Sequence, residues 1–210
     1  MVSGEVREIR IYVEGGGNQA ETRARFRDGM GQFLRALREC ARRKGIRWQV
    51  IISGGRQSTF DDFRHALTTH PSALNILLVD AEGEVKTPPW EHLRTRDGWS
   101  QPAAASDDQC HLMVQTMEAW LIADRATLAA FYGQGFNSSA FPGTTNIETI
   151  EKSRLENLLL QATRNTTKET YHKIRHGTEL LKKIDATKVR AASPHCDRLF
   201  RTLESRMGGC

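Results

Sequence analysis

The stretch Asn75–Glu84, NILLVDAEGE, carries an apolar run, Ile76-Leu77-Leu78-Val79, that ends abruptly in Asp80, Glu82 and Glu84. Carboxylates spaced i, i+2 at the end of a buried strand suit a hard divalent cation, which prefers oxygen ligands. A second apolar segment, Ile9–Val13, ends the same way in Glu14, followed by Gly15-Gly16-Gly17. If the two strand ends are neighbours, Glu14, Asp80 and Glu82 converge on one point. The competing reading is plain: acids often follow strands because turns are polar.

The elements that would position these acids follow from periodicity. Glu5–Val13 reads as a strand in which Ile9, Ile11 and Val13 alternate with Arg10 and Tyr12. Thr22–Lys44 reads as one helix, with Phe26, Met30, Phe33, Leu34, Leu37 and Cys40 on one face and Gly45 at its end. Its other face carries Arg23, Arg25, Arg27, Arg35, Arg38, Arg42 and Arg43, either a solvated surface or a nucleic-acid stripe. Ile46–Ser53 reads as a strand, Thr59–Thr69 as a helix and Asn75–Asp80 as a third strand. Between them, Gly54-Gly55-Arg56 followed by Ser58 is either a phosphate cradle or an ordinary start with Ser58 as cap. The β-α-β-α-β order favours right-handed crossovers and a parallel sheet, whose chemistry lies beyond the carboxyl ends of its strands.

Val85–Asp108 is irregular and holds Trp90 and Trp99, expected either to pack onto the domain or to stack on bases. His111–Gln115 is expected as a fourth strand, running into a helix over Thr116–Phe131 that Glu118 opens. Tyr132–Asn146 reads as a linker, followed by helices over Ile147–Thr163, Lys168–Ile184 and Pro194–Met207. Lys173 and His176 fall in a basic cluster with Tyr171 and Arg175. The expected organisation is an α/β domain over residues 1–131, a mostly parallel sheet flanked by helices, with a helical C-terminal extension over 132–210 packed on it.

The chain has 210 residues, a net charge of +5 and 39% hydrophobic residues, enough for a core and weakly favouring acidic partners. No membrane span or secretory leader is read, so a cytoplasmic protein is expected. Cys40, Cys110, Cys196 and Cys210 show no CxxC spacing and are expected as isolated reduced thiols. No Walker loop follows the glycines, so the chain is not expected to hydrolyse ATP by itself.

A strand ending Val13-Glu14-Gly15 and another ending Val79-Asp80-Ala81-Glu82 resemble the TOPRIM fold of topoisomerases, primases and OLD-family nucleases. More closely, IYVEGGG, the SGGR loop, LLVDAEG, PPWEHLRTRDGW, HLMVQTMEAWLIADRATLAAFYGQGF, NIETIEK, YHKIRHGTELLKKID and SPHCDRLFRTL resemble a TOPRIM-like bacterial family, domain of unknown function 4276. Glu118-Ala119-Trp120 is similar to a Glu-x-Trp of RloB-like proteins. The departures are Glu82 at the second acid of the TOPRIM pair, and Glu21 in place of an earlier glutamate. The resemblance implies a Mg²⁺- or Mn²⁺-dependent nuclease acting on DNA or on RNA such as tRNA. Glu14, Asp80 and Glu82 would hold the metal, Glu118 would complete the shell or act as base, and Arg56, Lys173 and His176 would contact phosphate. It also implies a phage-defence role beside an ABC-type ATPase, with room for a homo-oligomer. Two alternatives stand: a non-catalytic module binding that ATPase or nucleic acid, and a small-molecule phosphoryl-transfer enzyme, which needs a closed pocket.

Overall fold

The computed structural model describes residues 6–210; Glu5, expected at the start of the first strand, lies outside them. Strands β1 (Glu8–Glu14), β2 (Arg47–Gly54), β3 (Leu74–Asp80) and β4 (Cys110–Met113) form one parallel sheet in the order β2-β1-β3-β4. Ile11 of β1 pairs with Val50 and with Ile76, so β1 lies inside the sheet and β2 at its edge. Every residue of β3 is buried, as a strand covered on both faces requires.

Alternation along the strands divides the core. Ile9, Ile11, Val13, Ile76 and Leu78 join a cluster with helices α1 (Ala20–Phe33), α2 (Arg35–Arg43) and α5 (Met117–Ala123). Tyr12, Leu77, Val79 and Leu112 face a second cluster with α3 (Arg56–Thr69) and α4 (Pro89–Asp97). The first cluster also takes in Tyr132, Phe141, Leu159, Leu180 and Leu199, so residues on both sides of position 132 share one core.

Several expected elements are divided or displaced. The helix expected over Thr22–Lys44 breaks at Leu34, after Gly29 and Gly31 have weakened its last turns. Gly29 is also a close approach: a Cβ there would stand 3.1 Å from the Thr178 carbonyl. The helix expected to open at Thr59 begins at Arg56 with Gly55 as its cap, so Ser58 lies inside it and caps nothing. The helix expected over Thr116–Phe131 stops at Asp124, which caps α6 (Arg125–Tyr132) by accepting the Thr127 N–H. The supposed linker at 132–146 folds back through a short turn at Ser138–Ala140 and buries Phe141.

α7 (Lys152–Thr163) lies in the first expected C-terminal helix. Lys168–Ile184 is instead a wide helical turn at Lys173–Gly177 leading into the short α8 (Thr178–Leu181). A further helix, α9 (Ala186–Ala192), precedes α10 (Pro194–Arg206), which Ser193 caps and Pro194 opens. Cys40 and Cys210 are joined as a disulfide, against the expectation of reduced thiols; residues 170 apart in sequence meet where α2 and the last residues lie together. Cys110 and Cys196 are free and buried. Among the described residues no helix is long and apolar enough to cross a membrane.

Candidate metal centre

β1 and β3 are adjacent and parallel, so Glu14 and Asp80 leave the sheet at the same edge. Just beyond them the Ala81 and Glu82 N–H groups donate to Met113 and Gln115 carbonyls at 2.9 and 2.7 Å, tying this turn to the end of β4. Glu82 holds a left-handed backbone (φ 66°), which costs a non-glycine residue about 1 kcal/mol. Ligand atoms of Glu14, Asp80 and Glu82 all lie within 4.8 Å of one another, the metal-capable cluster found among the described residues.

That spread can be compared with an ion. Oxygens on opposite sides of Mg²⁺ stand about 4.2 Å apart, and on opposite sides of Ca²⁺ about 4.6–5.2 Å. Three oxygens around one ion cannot all stand opposite one another, and neighbouring oxygens around Mg²⁺ are about 3 Å apart, so the three side chains would close in on a bound ion. An all-carboxylate donor set suits a hard cation and argues against zinc or copper.

Each acid is held. Glu14 Oε2 accepts from Arg56 Nη1 at 2.8 Å and from the Asp80 N–H at 3.2 Å. Asp80 Oδ1 accepts the Met117 N–H at 2.8 Å. Glu82 pairs with Lys152 and with Arg96. Glu118, buried in α5, pairs with Lys173 Nζ at 2.8 Å, yet its Oε1 receives no well-directed hydrogen bond. Burial pushes the Asp80 carboxyl well above the usual range, and the Glu14 and Glu118 charges add to it. Burial also raises Glu14, with Arg56 opposing. Partial burial works against the Lys173 ammonium, but Glu118, Asp80 and Glu82 outweigh it and hold it above the ordinary lysine range. A site that raises its acids in this way gains from a cation that neutralises them.

Arg56 is committed to the scaffold. Its Nε and Nη2 fork onto Asp97 at 2.9 and 2.7 Å, and Nη1 also donates to the Asp80 carbonyl at 2.6 Å. The tryptophan segment explains why Asp97 is there. Trp90 and Trp99 are buried, and Trp99 stacks on Phe60 at 4.3 Å with Arg56 over its own ring at 5.1 Å. Of the two readings for this segment, packing is what the structure shows: α4 carries Asp97, Asp97 holds Arg56, and Arg56 holds Glu14.

A cavity of about 340 Å³ opens beside the acids. Glu14, Asp80, Glu82, Glu118 and Lys173 line it, with Gly15–Gly17, Phe26, Met117 and Ile174. Gly15, Gly16 and Gly17 all take positive φ, and a Cβ on Gly15 would stand 2.7 Å from the Phe26 ring. A larger cavity of about 780 Å³ lies at the opposite end of the sheet, against Glu8, Arg47 and Leu74. Glu8 there is spent on Arg10 and Arg47, and no converged acids line it.

The structure thus brings together Glu14, Asp80, Glu82, Glu118, Arg56 and Lys173. It does not bring His176, whose Nδ1 meets the Tyr132 hydroxyl at 3.1 Å while its ring packs against Phe131. Glu21 is exposed and paired with Arg25. Lys152, Arg96 and Asp97 were not singled out from sequence; nothing in their local pattern separates them from ordinary surface charges.

Residues 13–204 match the family described as Domain of unknown function (DUF4276). The chain belongs to that family. The matched span contains all six converged residues. No curated protein and no solved structure matches the chain.

Proposed function

We propose that this DUF4276 protein is a Mg²⁺- or Mn²⁺-dependent phosphodiesterase of TOPRIM type acting on nucleic acid. The observation that carries the reading is the convergence of Glu14, Asp80 and Glu82 at one edge of a parallel sheet, within 4.8 Å. A bound cation would polarise a phosphoryl oxygen and lower the pKa of a water. Glu14, Asp80 and Glu82 would hold it. Glu118 would take a proton on its buried carboxylate, and Lys173, already on Glu118, would give one to the leaving oxygen or bind phosphate. Arg56 would act as a positioning residue, keeping Glu14 aimed at the centre. The net charge of +5 supports an anionic substrate. A role in phage defence beside an ABC-type ATPase rests on the TOPRIM and RloB-like resemblance alone.

The test is cleavage of DNA and of tRNA with Mn²⁺ by the wild type and by Glu14→Ala and Asp80→Ala. The reading expects cleavage by the wild type and at least a hundredfold loss in each variant. Equal cleavage by all three proteins refutes it. One observation favours a second reading, a binding module that never loads metal: Glu14, Glu82 and Glu118 already have internal cations in Arg56, Lys152 and Lys173. Calorimetry separates the two, because the module gives no heat with millimolar Mg²⁺ or Mn²⁺.

A further inference from the structure

The cavity is lined by groups of two kinds. Beside the carboxylates, Phe26, Met117 and Ile174 contribute apolar surface. Ile174 stands out, being 53% exposed and the exposed large hydrophobic residue among those described. It sits on the wide turn Lys173–Gly177, next to the lysine that pairs with Glu118. A single exposed aliphatic side chain is ordinary on a surface. One that lines a cavity together with carboxylates has a face to offer to a planar apolar group.

Size narrows what can enter. At about 340 Å³ the cavity is at the small end of ligand sites, with room for one nucleotide-sized group. A base can lay its face against Ile174 only outside a duplex stack, which covers both of its faces.

The charges add a second constraint. Arg56, Lys152, Arg96 and Lys173 are all committed to carboxylates. Arg23 is not: it is half-buried and forms no ion pair among the described residues. Its side chain lies over the glycine lip, where a Cβ on Gly16 would meet its Cγ at 3.2 Å and one on Gly54 its Cδ at 3.8 Å. Gly16 and Gly54 both line the cavity. An arginine whose stem runs past the lining residues Gly16 and Gly54, and an exposed isoleucine in the lining, suit a strand passing through: one base against Ile174, a neighbouring phosphate near Arg23.

We infer that the site takes an unpaired nucleotide of a single strand, with Ile174 as the platform for its base and Arg23 as the contact for an adjacent phosphate. This rests on the phosphodiesterase reading for the acid cluster, and its test is therefore a binding measurement. The full chain is titrated in millimolar Mn²⁺ against a fluorescein-labelled single strand, the same strand in a blunt duplex, and a duplex with a central unpaired bulge, read by anisotropy. The single strand and the bulge are expected to bind at least tenfold more tightly than the blunt duplex. Ile174→Ser should lose about tenfold on the strand and the bulge and little on the duplex, the scale of one partly buried aliphatic side chain. Ile174→Phe should restore or tighten binding, which a merely structural role would not produce. Arg23→Gln should weaken all three and lower the salt dependence by about one phosphate contact. Duplex binding as tight as strand binding overturns the inference, as does an unchanged Ile174→Ser. Competition by a free nucleoside monophosphate as strong as by the strand also overturns it, in favour of a small-molecule site. Absence of cleavage with strand-selective binding intact would instead refute the phosphodiesterase reading and leave this one standing.

Discussion

Asp80→Asn should make the metal-free protein more stable while destroying its response to metal. Asp80 is buried, and asparagine keeps both its shape and the Oδ1 acceptor for the Met117 N–H. What it removes is a charge whose oxygen lies within 4.8 Å of Glu14 and Glu82 ligand atoms. Two like charges at that separation repel by about 3.5 kcal/mol at an effective dielectric constant of 20. Lys173 offsets part of this, leaving a gain of about 2 kcal/mol, or roughly 4–8 °C in Tm for a chain of this size. The pH dependence has a definite sign. Burial and neighbouring acids hold the Asp80 carboxyl above its ordinary range, so near its native pKa the folded state binds more protons than the unfolded chain. Wild-type stability therefore falls as pH rises from about 4 through the raised native value, and the variant's advantage should open over that window and vanish below it. Mn²⁺ reverses the order. At a hundred times its dissociation constant, the ion stabilises the wild type by about 2.7 kcal/mol and should leave Asp80→Asn nearly unmoved. Differential scanning calorimetry at pH 5 and pH 8, with EDTA or with Mn²⁺, reads all four states. A variant that melts below the wild type at pH 8 in EDTA, or that gains as much from Mn²⁺, refutes the reasoning.

Three further outcomes follow from the packing around the site. Arg56→Lys keeps a charge but cannot fork onto Asp97 while also reaching Glu14 and the Asp80 carbonyl, so about 2–4 kcal/mol of stability should be lost; a denaturation midpoint equal to wild type contradicts this. His111 is buried as a neutral ring between the Asp108 carbonyl and Arg198, and burial, then Arg198, push its pKa down to about 3. The unfolded chain takes up a proton near pH 6.5 that the folded protein refuses, so stability drops as pH falls from there toward 3, and His111→Gln should flatten that slope in urea titrations. Glu148 accepts from Ser193 Oγ and from the N–H and Nδ1 of His195, and Glu148→Gln should cost about 1–3 kcal/mol and speed amide exchange at the start of α10; unchanged exchange there would show that Glu148 does not pin the helix.

Legibility from sequence followed the range of the interaction. Alternation and strand-end acids placed β1 and β3, and parallel crossovers then put Glu14 beside Asp80 and Glu82, because these depend on nearest neighbours in the chain. Periodicity overextends the long helices where a local cap or an approaching backbone wins. Asp124 accepts from Thr127, Asp185 and Lys188, and only the first of these is visible as a local pattern. Gly29 reads as a weak helix residue until the Thr178 carbonyl is seen beside it. The glycine loop marks Arg56 as a site residue, but its task depends on Asp97, 41 positions away, and on the buried Trp99 beneath it. His176 shared a basic cluster with Lys173, yet the wide turn carries the lysine to Glu118 and the histidine to Tyr132. The Cys40–Cys210 pairing has no local signal at all.

The most direct test is a crystal of the full chain grown or soaked with Mn²⁺, with anomalous diffraction collected near the manganese edge. An anomalous peak is expected within ligand distance of Glu14, Asp80 and Glu82, lost in Asp80→Asn crystals. Well-ordered carboxylates at saturating Mn²⁺ with no peak between them, and Arg56, Lys152 and Lys173 still in place, would contradict a metal centre there.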